Sequence, residues 1–147
     1  MLVLERFLPY RLNRIAGQAT RRFARVYKQQ EGLSVPEWRI LVTLGEENES
    51  TSTALVQQIA THKTKVSRAV KRLEKRGWIT RRTDETDRRI EHLSLTSAGA
   101  RAYNGLVPKV LSEEEALLAQ LGAEDRAALN QGLRALETVL VEHGEVV

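Results

Sequence analysis

The sequence predicts a mainly α-helical fold with one small β-hairpin, and three observations support this prediction. Apolar residues recur at steps of three and four along most of the 147 residues, which is the period of an amphipathic helix. The period changes to two only over 78–95, where two short runs flank a charged turn. Charge is uneven as well: residues 61–92 hold 11 basic and 5 acidic side chains, whereas residues 109–147 hold 3 and 8.

The composition excludes several classes of protein. A hydrophobic content of 41% with 29% charged residues is typical of a globular chain. The absence of cysteine excludes disulfides, thiol catalysis and thiolate metal sites. The first residues do not resemble a signal peptide, and no apolar stretch approaches the roughly 18 residues of a membrane span. We therefore expect a cytoplasmic protein consisting of a single subunit over residues 1–147.

The first third of the chain predicts two helices joined by a tight connection. One apolar stripe follows residues 7–31, and Gly32 is placed to end that helix. Residues 34–37, Ser-Val-Pro-Glu, form a capping box that opens a second helix, which we expect to stop near Gly45. The polar run over 46–53 is typical of a turn.

The remaining patterns predict four more helices and the hairpin. In chain order we expect a short helix over 55–61, a helix over 63–76, strands over 78–83 and 90–95, and helices over 97–121 and 124–140.

The helix over 63–76 carries the clearest functional pattern. Its apolar residues share one face, while Thr64, Arg68, Lys71 and Lys75 fall on the opposite face at steps of four, three and four. A short helix precedes it and a cationic hairpin follows it, which is the layout of a winged helix-turn-helix. Residues 34–96 are therefore predicted to form a DNA-binding lobe.

The side chains on this surface suit two different contacts with DNA. Arg68 can bond guanine in the major groove, and the hydroxyls of Thr64 and Ser67 can bond several bases. Phosphate contacts supply affinity without sequence information. The lysines placed to make them are Lys63, Lys65, Lys71 and Lys75.

The hairpin adds arginines beside acidic residues. The arginines are Arg81, Arg82, Arg88 and Arg89. Phosphate repels the acidic side chains at the tip, so in a DNA-binding hairpin they must serve another purpose. Our hypothesis is that Asp87 holds a neighbouring guanidinium in one rotamer, so that Arg89 or Arg88 enters a narrow minor groove.

Two other interpretations of the basic surface stay open. A helix with Lys and Arg opposite an apolar stripe is often only a solvated face. A winged helix can also be a protein–protein interaction module whose basic face binds an acidic partner. No phosphate-binding glycine loop, nucleophile elbow or close carboxylate pair indicates an enzyme, so we assign no catalytic residue and no cofactor.

The ordered set of motifs resembles the MarR family of bacterial transcriptional regulators over nearly the whole chain. The matching stretches are Pro36-Glu37-Trp38-Arg39-Ile40-Leu41, Val66-Ser67-Arg68-Ala69-Val70, Leu73-Glu74-Lys75-Arg76-Gly77, Asp87-Arg88-Arg89 and Leu93-Ser94-Leu95-Thr96. One departure lies at His62, where relatives commonly carry a helix-capping Asp. We therefore expect Thr61 to cap the helix and the helix to start one residue earlier.

The resemblance implies a homodimer that binds double-stranded DNA at a pseudo-palindromic operator. It implies that the terminal parts of the chain, 1–32 and 97–147, interlock as dimerisation helices. It places the positions of Thr64, Lys65, Ser67 and Arg68 in the major groove and that of Arg89 in the minor groove. It also implies that many members are repressors released by a small aromatic or phenolic anion.

The terminal helices independently favour a dimer. Their apolar stripes lie far apart in sequence, and neither belongs to the predicted winged-helix core, so they must pair with each other or with a second chain. An intramolecular helical bundle is the alternative.

A site for a small aromatic acid is a further expectation. Tyr10, Asn13, Trp38 and Arg39 are placed where the first two helices approach the DNA-binding lobe, and aromatic rings with one cation suit a carboxylated ring. The alternative is that Trp38 anchors the core and Arg39 is a surface or ion-paired residue.

A metal site is not expected, because the three histidines lack the spacing of a ligand pair. These are His62, His92 and His143.

Overall fold

The computed structural model describes residues 1–59 and 61–142 of the chain; His143 lies outside them. A short 3-10 turn over Leu4–Arg6 precedes the regular elements. These are α1 (Leu8–Glu31), α2 (Val35–Glu47), β1 (Glu49–Thr51), α3 (Ser52–Ile59), α4 (Lys63–Lys75), β2 (Ile79–Thr83), β3 (Glu91–Leu95), α5 (Ser97–Leu118) and α6 (Ala123–Glu142). The predicted fold class is confirmed: the chain is mostly helical with one small antiparallel sheet.

The helix ends of the first third follow the local chemistry that the sequence indicates. Gly32 ends α1 in the left-handed conformation at φ 65°, where a glycine carries no Cβ penalty. At the start of α2, the Ser34 hydroxyl accepts from the Glu37 N–H at 3.3 Å. The Ser34 N–H in turn donates to the Glu37 carboxylate at 3.0 Å, which completes the capping box.

The expectation that α2 stops near Gly45 is wrong, because the helix continues to Glu47. Gly45 is needed for packing rather than for a helix end. A Cβ at this position would lie 2.6 Å from the ring of Tyr103 in α5, so only glycine lets the two helices approach this closely. Asn48, which has a positive φ of 66°, is the C-cap that follows the last helical residue.

The polar run over 46–53 is not simply a turn, because part of it forms β1. This strand pairs antiparallel with β3, with Ser50 opposite Leu93, and the sheet has the order β1-β3-β2. The hairpin is thus part of a three-stranded sheet. The three residues of β1 are all polar, so they show no alternation of apolar and polar side chains that would predict a strand. The strand forms because it satisfies the backbone N–H and C=O groups on the free edge of β3.

The start of α4 also differs from the expectation. The helix begins at Lys63 with His62 as its N-cap, so an earlier start capped by Thr61 is wrong. The backbone of His62 is extended, and its carbonyl accepts the first helical bonds from the N–H groups of Lys65 and Val66 at 2.9 and 3.2 Å. The imidazole makes no capping bond. Both hairpin strands begin one residue later than expected, and α5 ends at Leu118 rather than near residue 121.

The chain forms two compact units, and the boundary between them lies within α5. The first unit ends at Val110 and the second starts at Leu111. The first unit holds the hydrophobic core, to which α1, α2, α3, α4 and the sheet all contribute. Its largest fully buried side chains are Tyr27, Leu33, Ile40, Leu41, Leu44, Leu55, Leu73, Leu93, Leu106 and Val66.

Both units expose large apolar side chains in the single chain. In the first unit most of them precede or occupy the N-terminal half of α1, including Leu4, Phe7, Leu8 and Ile15. In the second unit they lie in α5 and α6 and include Leu111, Leu129, Leu133, Val139 and Leu140. Apolar surface of this extent is typical of an interaction site.

We expect Gly99→Ala to destabilise the protein, because α5 starts directly against the backbone of the preceding hairpin. A Cβ at this position would lie 2.0 Å from the carbonyl oxygen of Trp78, and a backbone group cannot move aside as a flexible side chain can. Overpacking of this kind costs about 1–3 kcal/mol or more. Thermal unfolding followed by circular dichroism, at one fixed protein concentration, measures the loss.

Gly105→Ala is the matched control in the same helix. A Cβ there meets no atom within 4 Å, so alanine should leave stability unchanged or raise it by about 0.5–1 kcal/mol. Equal melting temperatures for the two variants would contradict the proposed role of Gly99.

Candidate nucleic-acid interface

Helix α4 presents two chemically distinct faces. Val66, Ala69, Val70 and Leu73 are buried in the core and fix the rotation of the helix. The rest of the helix surface is exposed and holds the α4 residues that the sequence predicts for contact with the major groove and the neighbouring phosphates. These residues are Lys63, Thr64, Lys65, Ser67, Arg68 and Lys71. The structure therefore brings this part of the predicted site together on one surface.

The cations of this face are available to a ligand. Among the described residues, none forms an ion pair or side-chain hydrogen bond with Arg68 or Lys71, or with the lysines of the first turn. Arg72, one position further, donates to the buried carboxylate of Glu37 at 3.4 Å. The free cations therefore make the start and middle of α4 an electropositive strip.

Two of the four hairpin arginines form ion pairs with acidic side chains of the same chain, at its surface. Arg81 donates to Glu74 of α4 at 2.8 and 2.9 Å and also to Glu91 of β3. These two carboxylates raise the pKa of Arg81, and Arg81 in turn lowers the pKa of Glu74. Arg82 donates to Glu49 of β1 at 3.3 Å. Arg81 thus ties the hairpin to α4 rather than adding free charge to the surface.

The other two arginines lie at the exposed tip, here called the wing loop (residues 84–90). Asp87 and Arg89 form a bidentate pair: Nε to Oδ1 and Nη2 to Oδ2 are both 3.0 Å. The guanidinium holds the pKa of Asp87 below its ordinary value. Arg89 nevertheless keeps 90% of its side chain exposed, so it projects outward in a fixed orientation. Arg88 is exposed as well.

A turn centred on Asp84 shapes the wing loop. Its Oδ1 accepts from the hydroxyl and N–H of Thr86 at 2.7 and 2.8 Å, and from the N–H of Asp87 at 3.0 Å. Its Oδ2 lies 2.9 Å from Nε2 of His92. These bonds, led by the Thr86 hydroxyl, hold the pKa of Asp84 well below its ordinary range.

The sequence did not reveal how Trp78 contributes to this region. The guanidinium of Arg76 lies 4.9 Å from the centre of the Trp78 ring, a cation–π contact at the junction between α4 and β2. The Trp78 carbonyl accepts from the Thr96 N–H at 3.0 Å. Trp78 therefore connects the end of α4 to the start of α5.

The residues expected to bind an aromatic acid are only partly brought together. Trp38 and Arg39 line a hollow of about 210 Å³ with residues of α1, and the ring of Tyr27 stacks on Trp38 at 5.1 Å. Tyr10 and Asn13 are not among the residues that line it. Arg39 also donates to the Ile59 carbonyl at 3.2 Å, and Trp38 packs against the core.

The described residues contain no group of three or more His, Asp or Glu side chains placed to hold a metal ion. No helix in the described part of the chain is both long and apolar enough to cross a membrane.

Comparison with known proteins identifies relatives over most of the chain. The family model for the MarR family matches residues 33–90. The HTH-type transcriptional regulator YwoH of Bacillus subtilis, itself uncharacterised, is 29% identical over 134 residues, which covers 91% of this chain and 96% of that protein. The transcriptional repressor MprA of Escherichia coli is 32% identical over 108 residues, covering 72% of this chain and 61% of that protein.

Solved structures share the fold as well. The MarR family transcriptional regulator SPO1453 from Silicibacter pomeroyi superimposes with a TM-score of 0.80 at 28% sequence identity. The match covers 95% of this chain and 99% of that one. These relatives are transcriptional regulators and not enzymes.

Proposed function

Since the chain belongs to the MarR family of transcriptional regulators, we propose that it is a homodimeric repressor that binds a pseudo-palindromic operator. The observation that carries this proposal is the exposed face of α4, whose cations form no ion pair or side-chain hydrogen bond with a described residue. Its neighbour, the wing loop, holds Arg89 outward. A helix with this face fits the major groove, and an arginine on an adjacent wing fits the minor groove.

Each side chain of the surface has a proposed role. Arg68, Thr64 and Ser67 read base edges, because an arginine bonds guanine bidentately and hydroxyls bond several bases. The lysines contact phosphate and supply the salt-dependent part of the affinity. They are Lys63, Lys65, Lys71 and Lys75. Arg89 enters the minor groove, and Arg88 contacts the backbone beside it.

A second copy of the chain is the proposed cover for the exposed apolar residues of both units. They flank the DNA-binding lobe in sequence, on residues 1–32 and from 97 onward, which are the proposed dimerisation segments. A twofold dimer places two α4 helices on half-sites about ten base pairs apart. Repression follows when such an operator overlaps a promoter, because the bound dimer then excludes the polymerase.

We also propose that a small aromatic or phenolic acid releases the protein from DNA. The hollow beside Trp38 supports this, because it combines stacked aromatic rings with the cation of Arg39. At about 210 Å³ it is smaller than the roughly 300–1,000 Å³ of most ligand pockets, which limits a ligand to a single ring. Release of operator DNA by benzoate or a hydroxybenzoate, abolished in Arg39→Gln, is the corresponding test; no release by any aromatic acid contradicts it.

Selection of bound fragments from the source genome tests the function itself. We expect recovered fragments to share a pseudo-palindrome whose half-sites are about ten base pairs apart, next to the regulated genes. The second candidate, a winged-helix module for an acidic protein partner, predicts fragments without a common sequence.

We expect Asp87→Ala to weaken operator binding by about 3- to 10-fold, which is the range of an ordinary hydrogen bond rather than a charge-assisted one, because this pair is exposed to solvent. Without its partner, the Arg89 side chain samples many rotamers and loses entropy when it enters the groove. Fluorescence anisotropy with labelled operator at fixed salt measures the change. Glu85→Ala, which removes a carboxylate from the same loop, is the control and should leave affinity unchanged or raise it. An unchanged or higher affinity for Asp87→Ala would show that Asp87 does not orient the arginine.

A further inference from the structure

The hairpin leaves the hydrophobic core soon after it begins. Ile79 at the start of β2 is 4% exposed, and Leu93 in the middle of β3 is fully buried. Every later residue of β2, from Thr80 to Thr83, is exposed. The outer part of the hairpin, including the wing loop, therefore extends beyond the core, and no buried side chain of β2 fixes its direction.

Arg81 lies on the face of the hairpin that is turned toward α4. It follows Ile79 by two residues and is opposite Leu93, so its side chain shares the face of these two buried residues. On this face it borders a hollow of about 420 Å³ that is also lined by Ser67 and Val70 of α4. The outer hairpin and the first turns of α4 are thus separated by a hollow rather than joined by packed side chains.

Ion pairs connect the hairpin to α4 at one end of this hollow. Nε and Nη2 of Arg81 donate to the two carboxylate oxygens of Glu74 at 2.8 and 2.9 Å, and Nη1 donates to Glu91 of β3. A bidentate pair of this kind fixes orientation as well as distance. The side chains of Arg81 and Glu74 are 33% and 29% exposed, so water partly screens the pair but does not surround it.

The other contacts of the hairpin do not set its angle to α4. The Trp78 N–H donates to the Leu73 carbonyl at 3.0 Å, but this bond lies at the base of the hairpin, before β2 begins. Arg82 pairs with Glu49 of β1 and so stays within the sheet. Among the side-chain hydrogen bonds and ion pairs of the described residues, only those between Arg81 and Glu74 join β2, β3 or the wing loop to α4.

We propose that Arg81 is a positioning residue for DNA recognition: by joining the hairpin to Glu74, it sets one distance between Arg68 on α4 and Arg89 on the wing loop. This inference rests on the proposed DNA binding and adds a geometric requirement to it. The contacts in the two grooves act together only when helix and wing meet the same half-site at once. Without the ion pair the wing samples several angles, and ordering it on DNA costs entropy.

Glu74→Ala is the decisive variant, because charge and positioning predict opposite effects. Removal of a carboxylate reduces the repulsion of phosphate, so charge alone would raise DNA affinity. Loss of positioning should instead weaken binding to the recovered operator fragment by about 3- to 10-fold, the usual cost of ordering a mobile side chain or loop on binding. Fluorescence anisotropy at fixed salt measures the change, with fluorescein on the operator fragment and on an alternating A·T duplex.

Glu85→Ala is the matched control for the loss of negative charge. Glu85 lies in the wing loop and forms no ion pair or side-chain hydrogen bond with a described residue. Its removal changes the net charge by the same amount but leaves the connection to α4 in place. Operator affinity should therefore stay unchanged or rise.

Arg81→Lys keeps the charge but not the geometry. A single ammonium cannot reproduce the bidentate bond to Glu74 while also reaching Glu91. We therefore expect weaker operator binding although the net charge is unchanged. Arg82→Lys is the control in the same strand: Arg82 reaches only Glu49 and is 56% exposed, so this variant should bind within about twofold of the unsubstituted protein.

A double-variant cycle with Arg89→Ala shows whether the effect acts through the wing. If Glu74 and Arg81 position Arg89, the loss caused by Arg89→Ala should be smaller in the Glu74→Ala background than in the unsubstituted protein. A purely structural role would make the two losses multiply. Thermal unfolding followed by circular dichroism checks the fold of each variant, and Arg81→Lys decides the outcome where Glu74→Ala does not fold.

The results separate this inference from the proposed function. Three results overturn the positioning role and leave DNA binding intact. They are unchanged or higher operator affinity in Glu74→Ala, normal affinity in Arg81→Lys, and losses that multiply in the cycle with Arg89→Ala. If the unsubstituted protein binds neither duplex in dilute buffer, the proposed function fails and this inference fails with it.

Discussion

Arg68→Ala is expected to weaken binding to the operator by about 1–3 kcal/mol while changing binding to an unrelated duplex much less. Arg68 is exposed on α4, two residues after the buried Val66 that fixes the helix rotation, and no described residue competes for its guanidinium. A bidentate bond to guanine is lost only on the sequence that supplies the guanine. Sequence preference should therefore fall, and the preferred base at one position of each half-site should become degenerate.

Lys75→Ala is the matched control on the same helix face. Lys75 lies at the end of α4, where we propose that its ammonium contacts phosphate. We expect it to weaken both duplexes alike and to reduce the slope of log K against log salt by about one. The measurement is a pair of titrations, operator and unrelated duplex, for each variant. Equal losses on both duplexes for both variants would refute the division between base and phosphate contacts.

A substitution in the second unit should have the largest effect on affinity. The double variant Leu133→Asp/Leu140→Asp places two charges on α6, where these leucines are 44% and 60% exposed in the single chain. Because a second copy is proposed to cover them, we expect the variant to sediment as a monomer at micromolar concentration. A monomer engages one half-site, so operator affinity should fall about 10²- to 10⁴-fold.

Gln131→Asp/Thr138→Asp is the control for that variant. It adds the same two charges at the same seven-residue spacing on α6, at residues that are exposed and polar. It should remain a dimer and bind normally, apart from a small electrostatic loss. A monomeric unsubstituted protein, or a dimeric leucine variant with normal affinity, would refute the dimer and the palindromic operator together.

The parts of the fold that could be predicted are those encoded by neighbouring residues. The capping box at Ser34, the left-handed Gly32 and the two faces of α4 each depend on side chains within one or two turns of helix. The exposed strip on α4 follows from the same periodicity, because burying Val66 and Leu73 leaves Arg68 on the opposite face. Local patterns of this kind can be recognised in a single sequence.

The parts that could not be predicted depend on contacts between distant residues. β1 forms only because β3, more than 40 residues later, offers an open edge. Gly45 is fixed by Tyr103, and the partners of Arg81 come from α4 and β3. The sequence pattern places Arg81 among the cations of the hairpin and does not reveal its partners, because its pairing with Glu74 and Glu91 leaves no local pattern.

The most direct test of the account is the salt dependence of binding to the operator fragment and to an unrelated duplex of equal length. If the protein binds DNA as a dimer, the logarithm of the binding constant K should fall linearly with the logarithm of the salt concentration on both duplexes. The slope should be about −0.9 for each phosphate contacted. Specific binding by this dimer also predicts a preference for the operator of roughly a thousandfold or more. Failure to retain any duplex in dilute buffer, or equal affinity for every sequence, would contradict it.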